Sequence, residues 1–175
     1  ATLGTVVTGG TLIVNGVTSS VKNNYGYTIW DGATLGGTGT VNLAASASTC
    51  TVHSAGALAP GTHYAESRVG TLTINGPVSL DEGAIFKCDV HDGASDLLDV
   101  NGTLTLPAAA TVAVTLLSGE LPESSTIMTA DILAGAGAAD ISGWTVQGAP
   151  GTRLKILENS VVLEPFSAGT LIFIR

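Results

Sequence analysis

Two segments of the chain share a spacing that chemistry can use, Cys50-Thr51-Val52-His53 and Cys88-Asp89-Val90-His91. Together they offer two thiolates and two imidazoles, the ligand set of a tetrahedral zinc site. Strand geometry works against convergence, because residues three apart on a strand point to opposite faces. The favoured reading is cysteines turned into a core and histidines turned to solvent. Cys50 and Cys88 could also form a disulfide, which needs Cα atoms within about 7 Å and therefore adjacent strands or coils. Neither lies in a Cys-x-x-Cys spacing, so disulfide and free thiols both stay open.

Acidic residues are densest from Asp81 to Asp99, with Glu82, Asp89, Asp92 and Asp96 between them and Asn101 just beyond. Hard oxygen ligands at that density can hold calcium, for which Asp89, Asp92, Asp96 and Asp99 are the candidates. Against it, no EF-hand or glycine-aspartate nonapeptide spacing is present, and a solvated acidic face accounts for the same residues. Carboxylate pairs for glycoside hydrolysis could be drawn from this set, but their separation is not readable from sequence. Stabilising an enolate-like charge on a polysaccharide needs clustered bases, and the six here (Lys22, Arg68, Lys87, Arg153, Lys155, Arg175) are scattered. His-Glu-x-x-His, Gly-x-Ser-x-Gly and a dinucleotide fingerprint are all missing. No enzyme and no obligatory cofactor is expected. Trp30, Trp144, Tyr25, Tyr27 and Tyr64 could stack on sugar rings if exposed, though such residues more often pack a core.

The elements that would position these groups follow from composition and pattern. In 175 residues the charged fraction is 11% against 45% hydrophobic, with 23 glycines, which leaves Thr, Ser, Asn and Gly to solvate the outside. Helical proteins normally clothe their exposed faces with Glu, Lys and Arg, so an all-β chain is indicated. A net charge of −8 disfavours nucleic acid and anionic lipid as partners. No run approaches the roughly 18 apolar residues of a membrane-crossing helix. Few lysines and much Thr, Ser, Gly and Asn point outside the cell.

Gly70-Thr71-Leu72-Thr73-Ile74-Asn75-Gly76 is the organising segment, with partial copies at Gly10 to Gly16, Leu98 to Leu106 and Gly169 to Arg175. Each is a β-branched run, and the first three carry an Asn-Gly pair suited to a turn. Short strands recur along the chain at spacings expected of all-β folds. Arg153 to Leu157 and Ser160 to Glu164 read as a hairpin across Glu158-Asn159, and Thr62 to Arg68 as a protruding loop. One helix is entertained, around Thr129 to Ala138. A single domain over residues 1–175, built as a stacked parallel β-helix, explains the self-similarity; an antiparallel β-sandwich is the alternative and leaves it unexplained.

The series Gly32-Ala33-Thr34-Leu35-Gly36-Gly37-Thr38-Gly39-Thr40-Val41, then Leu58-Ala59-Pro60-Gly61, then Gly70 to Gly76, then Ser95-Asp96-Leu97-Leu98-Asp99-Val100-Asn101-Gly102-Thr103-Leu104 resembles the autotransporter-associated β-strand repeats of passenger-type bacterial surface adhesins. The likeness covers Thr8 to about Leu106 and, more loosely, Val112 to Leu163. It implies a right-handed parallel β-helix on the outside of a cell, structural or adhesive, and carries over no catalytic residue.

A solenoid leaves unpaired backbone at its ends, and neither end of this chain reads as a polar cap. The expected role is a structural subunit of a surface fibre or matrix that associates with itself through terminal strands. The contacts expected to carry assembly are Leu171, Ile172, Phe173 and Ile174 at one end and Leu3, Val6 and Val7 at the other. An adhesive or glycan-binding module, using the Tyr64 loop or the acidic face, is the alternative; a polysaccharide-active enzyme stands third.

Overall fold

Strand follows strand in threes, and each set of three lies on the one before. A computed structural model describes residues 4–19, 26–43, 48–62 and 69–166. The first coil is β1 (Thr5–Val7), β2 (Gly10–Ile13) and β3 (Val17–Ser19); the second is β4 (Tyr27–Ile29), β5 (Ala33–Gly37) and β6 (Thr40–Asn42). The third is β7 (Cys50–Val52), β8 (Ala57–Pro60) and β9 (Thr71–Asn75). Then come β10 (Val78–Leu80), β11 (Ile85–His91) with the short antiparallel β12 (Ala94–Ser95), and β13 (Leu97–Thr105). β13 pairs with β9 through its first half and with β10 through its second, so one long strand turns the corner between two coils. β14 (Thr111–Ser118) and β15 (Ser125–Ala134) continue the winding, followed by α1 (Ala136–Ala139) and β16 (Thr145–Gln147). β17 (Thr152–Leu157) and β18 (Ser160–Pro165) end the described chain as an antiparallel hairpin laid on β15.

The molecule is thus a β-solenoid whose coil-to-coil pairing is parallel, with an antiparallel hairpin at one end. Among the described residues the strands form one sheet of eleven and one of seven. Register is set by inward side chains. In one column Val41 lies beside Ile74, Ile74 beside Val100, and Val100 beside Ala130, while Leu72, Leu98 and Met128 form a parallel column next to it. All are buried, and each aliphatic side chain removed from water stabilises the stack by about 1.5–3 kcal/mol. A slip of one residue would turn such a column outward, so the alternation fixes the pairing.

The scarcity of charge has the same origin. Outward residues in adjacent coils are separated by one strand spacing of about 4.8 Å, where like charges would repel. Neutral groups occupy those rows instead: Thr28, Thr51 and Ser79 in one, Thr40 and Thr73 in another. Asn101 donates to Asn75 at 2.6 Å, Asn75 to Asn42 at 2.5 Å, and Asn42 to the Ser19 hydroxyl at 3.4 Å. Corners impose their own demand. Gly37 has φ +116, and a Cβ there would sit 2.1 Å from the Val14 carbonyl oxygen, so only glycine lets the coils approach.

Two expectations change, and one of the two states left open for the cysteines is found. The helix expected over Thr129 to Ala138 is a single turn, Ala136–Ala139, because β15 is held as strand by β13 and β18 as far as Ala134. Cys50 and Cys88 are free thiols, on β7 in the larger sheet and β11 in the smaller. And the hairpin makes one end of the stack unlike the other, whereas neither end read as capped.

Candidate functional site

The first coil is where the fold stops satisfying itself. β1 pairs only with β4, β2 only with β5 and β3 only with β6, so among the described residues the opposite edge of each has no partner. Residues 4–19 contain no charged side chain. Val6 is 52% and Val17 73% exposed, and Val7 and Leu12 are half-buried against the core below them. Unpaired N–H and C=O groups beside exposed valines form a template for another strand, and natural edges usually carry Lys, Pro or a bulge to prevent that.

The other end is finished differently. β17 is the last strand of the larger sheet, and it alternates exposed Arg153, Lys155 and Leu157 with half-buried neighbours. Arg153 pairs with Glu164 of β18 at 2.6 Å and lies over the Phe166 ring. Trp144, after α1, is buried and donates its indole N–H to the Pro107 carbonyl at 2.9 Å. Charge on the edge strand and a tucked aromatic are the devices that the first coil lacks.

Of the residues expected to carry assembly, Val6 and Val7 lie on β1 at this open edge; Leu3 and Leu171 to Ile174 lie outside the described residues. Tyr25, Tyr64 and most of the expected protruding loop are outside them as well.

The acidic residues expected to hold calcium do not converge. Asp96 is 1% exposed and accepts hydrogen bonds from the Gly70 and Asp89 amides, both at 2.8 Å. Burial pushes its carboxyl up to about 7 against those two bonds, and the nearby Asp89 carboxylate adds to the rise. Asp92 lies in the turn between β11 and β12 and accepts from the Ser118 hydroxyl at 2.7 Å, while Asp99 is on β13 in the other sheet. Among the described residues no three His, Cys, Asp or Glu side chains are grouped to hold a metal ion. The cysteines face the core, beside Tyr27 and Val78 for Cys50 and beside Val114 for Cys88, and burial pushes both thiols up to about 12. His53 and His91 remain partly exposed.

Sequence reasoning missed one juxtaposition. Ile29, Val52 and Leu80 are in register in successive coils, so the residues after them, Trp30, His53 and Asp81, come into a column. The Trp30 and His53 rings stack with centroids 4.1 Å apart, and His53 Nδ1–H donates to Asp81 Oδ2 at 2.6 Å. The signal was available in the offset of 23 residues between Trp30 and His53, the same offset that joins Ser19 to Asn42. No protein-family model matches this chain, and no curated protein matches it.

Proposed function

We propose that this is a non-enzymatic structural protein of the cell exterior, of the passenger-type surface-repeat kind its sequence resembles, that polymerises by adding a terminal strand to the first coil of a neighbour. The observation that carries the reading is the uncharged edge of β1, β2 and β3, unpaired among the described residues, set against the charged hairpin at the far end. Thr170-Leu171-Ile172-Phe173-Ile174 is long enough to cover the three or four residues of each rung it would extend, and is β-branched and aromatic like a strand. Main-chain bonding would supply affinity, and alternate side chains packing on Val7 and Leu12 would supply register.

Reach decides between joining its own first coil and joining another molecule's. In the larger sheet the strands run β1-β4-β7-β10-β13-β15-β18, six spacings that total about 29 Å at about 4.8 Å each. The five residue steps from Phe166 to Leu171 span at most about 17 Å. The segment therefore falls short of its own molecule's open edge, and pairing in trans is head-to-tail, which gives open filaments rather than closed rings.

Light scattering across a concentration series, with negative-stain images, tests this. The full chain is expected to grow in mass with concentration and to form filaments. Chains ending at residue 168, or carrying Val6→Lys and Val17→Lys, are expected to remain monomers. A full chain that stays monomeric at every concentration overturns the proposal.

A further inference from the structure

The Trp30 column forms one wall of an open groove of about 640 Å³ that also takes in Asp31, Ser54, Asp81 and Glu82. Trp30 is 45% exposed, whereas Trp144 and Tyr27 are each 7% exposed and bonded to protein partners. Stacking on His53, itself braced by Asp81, holds the indole in place from one side. A large apolar ring kept at the surface in a fixed pose, ringed by polar groups, is the arrangement that small-ligand sites use.

The polar groups select the ligand class. Asp31 has no hydrogen-bond or ionic partner among the described residues, and neither does the Ser54 hydroxyl. In its neutral form, with Nδ1–H committed to Asp81, the His53 ring would present Nε2 as an acceptor, and Asp81 keeps Oδ1. The groove is therefore rich in acceptors and wants a ligand with many O–H donors. Two of its carboxylates are held by protein donors: Asp81 Oδ2 by His53 Nδ1–H, and both Glu82 oxygens by backbone amides, from Ala108 at 3.0 Å and Ala109 at 2.9 Å. Asp31 is left as the carboxylate with no donor from the described residues, so its oxygens are free to take hydroxyls from a ligand.

We propose that this groove binds a neutral saccharide, one sugar ring lying against the exposed part of Trp30 with its hydroxyls donating to Asp31, Asp81 Oδ1 and His53 Nε2. The site is independent of strand-mediated assembly and lies on the flank of the coils, so it would repeat along any polymer.

Titration of tryptophan fluorescence in the full chain tests it, with tetrasaccharides of β-1,4-glucose, α-1,4-glucose, β-1,4-xylose and β-1,4-N-acetylglucosamine as probes and tetralysine as the charged comparison. Trp144 is buried and should stay silent, so a response reports on Trp30. At least one tetrasaccharide is expected to bind saturably, with an affinity unchanged between about 50 and about 500 mM salt. Trp30→Ala should weaken it by about tenfold or more, the equivalent of one good contact. Asp31→Asn, a surface change that leaves the fold intact, should weaken it several-fold. The proposal is overturned if no tetrasaccharide binds, if binding is unaltered in Asp31→Asn, or if tetralysine alone binds and is released by salt.

Discussion

The side-chain amide of Asn101 donates to Oδ1 of Asn75 across 2.6 Å, and these two residues are 26 apart in the chain but neighbours in successive coils. Asn75 in turn donates to Asn42 at 2.5 Å, so it is the middle rung of a ladder in which its amide both gives and receives. An asparagine can do this and an aspartate cannot.

Asn75→Asp leaves the bond from Asn101 in place but sets a carboxylate against Asn42 Oδ1 with no hydrogen between them. The Asn75–Asn42 bond is then lost and two oxygens are brought together, a loss of about 1–3 kcal/mol. The melting temperature is expected to fall by about 2–4 °C for each kcal/mol at this chain length. Asn15→Asp is the control. Asn15 Oδ1 only accepts, from the Thr38 amide at 3.2 Å and its hydroxyl at 3.5 Å, and a carboxylate does that equally well. Its melting temperature should barely move. Equal losses in the two variants would show that the two-way bonding of Asn75 adds nothing to stability.

Asp96 makes stability depend on pH in a direction opposite to most carboxylates. Its folded pKa, about 7, lies above the ordinary value of 3.8, because burial outweighs the two amide hydrogen bonds it accepts. The folded state therefore holds the proton more tightly than the unfolded chain. The stability this supplies is fully present below about pH 4 and is lost as pH rises through about 7. Asp89, which lines the same cavity of about 240 Å³, adds to the rise through its carboxylate. Urea denaturation at pH 5 and pH 8 should find the chain more stable at the lower value by about 1–3 kcal/mol, after allowance for solvent screening. In Asp96→Asn this difference should shrink, although the variant is weaker at both pH values, since its –NH2 must face one of the two backbone N–H donors.

Backbone approach at the coil corners gives a sharper contrast. Gly37 is buried, has positive φ and lies against the Val14 carbonyl; Gly9 has nothing within 4 Å of where its Cβ would be. Gly37→Ala combines left-handed strain with a clash against backbone and is expected to cost about 3 kcal/mol or more. Gly9→Ala should lie within about 0.5 kcal/mol of the parent, as surface changes do. Chemical denaturation of both settles whether the glycine density reflects stacking or mere looseness of composition.

These residues also show what could be read from the chain beforehand. Winding in coils was legible from the self-similarity of the β-branched runs bounded by glycine, which a sandwich leaves unexplained, and the hairpin across Glu158-Asn159 was legible because alternation and turn chemistry are both local. Long-range register was not. Gly10 to Gly16 looks like Gly70 to Gly76, yet β2 lies in the smaller sheet and β9 in the larger, and the true neighbour of Gly10-Thr11-Leu12 is Ala33-Thr34-Leu35. Local likeness reports strand and turn propensity, whereas register is fixed by inward columns, and here coil length drifts from 23 residues between Ser19 and Asn42 to 33 between Asn42 and Asn75. The longer step of 28 residues from His53 to Asp81 hid Asp81 from His53 and Trp30. Cys50-Thr51-Val52-His53 failed as a ligand set for the reason strand parity gave, an inward cysteine and an outward histidine.

Cys50 and Cys88 complete the picture of the core. Each occupies a position that a small aliphatic residue fills elsewhere in its column, Val78 beside Cys50 and Val114 beside Cys88. With thiols raised to about 12 by burial, about one molecule in ten thousand carries a given thiolate at pH 8, and the sulfur is also shielded from reagent. Native protein is expected to resist thiol-specific labelling, and unfolded, unreduced protein to take up two labels per chain. Fewer than two would mean that the cysteines pair. Cys50→Val, close in volume, should cost under about 1.5 kcal/mol, and Cys50→Ser, which buries a hydroxyl among apolar neighbours, about 1–3 kcal/mol. A serine variant as stable as the valine variant would show that the column beside Tyr27 is wetter than its burial implies, and that the inward cysteine is not there for its apolar character.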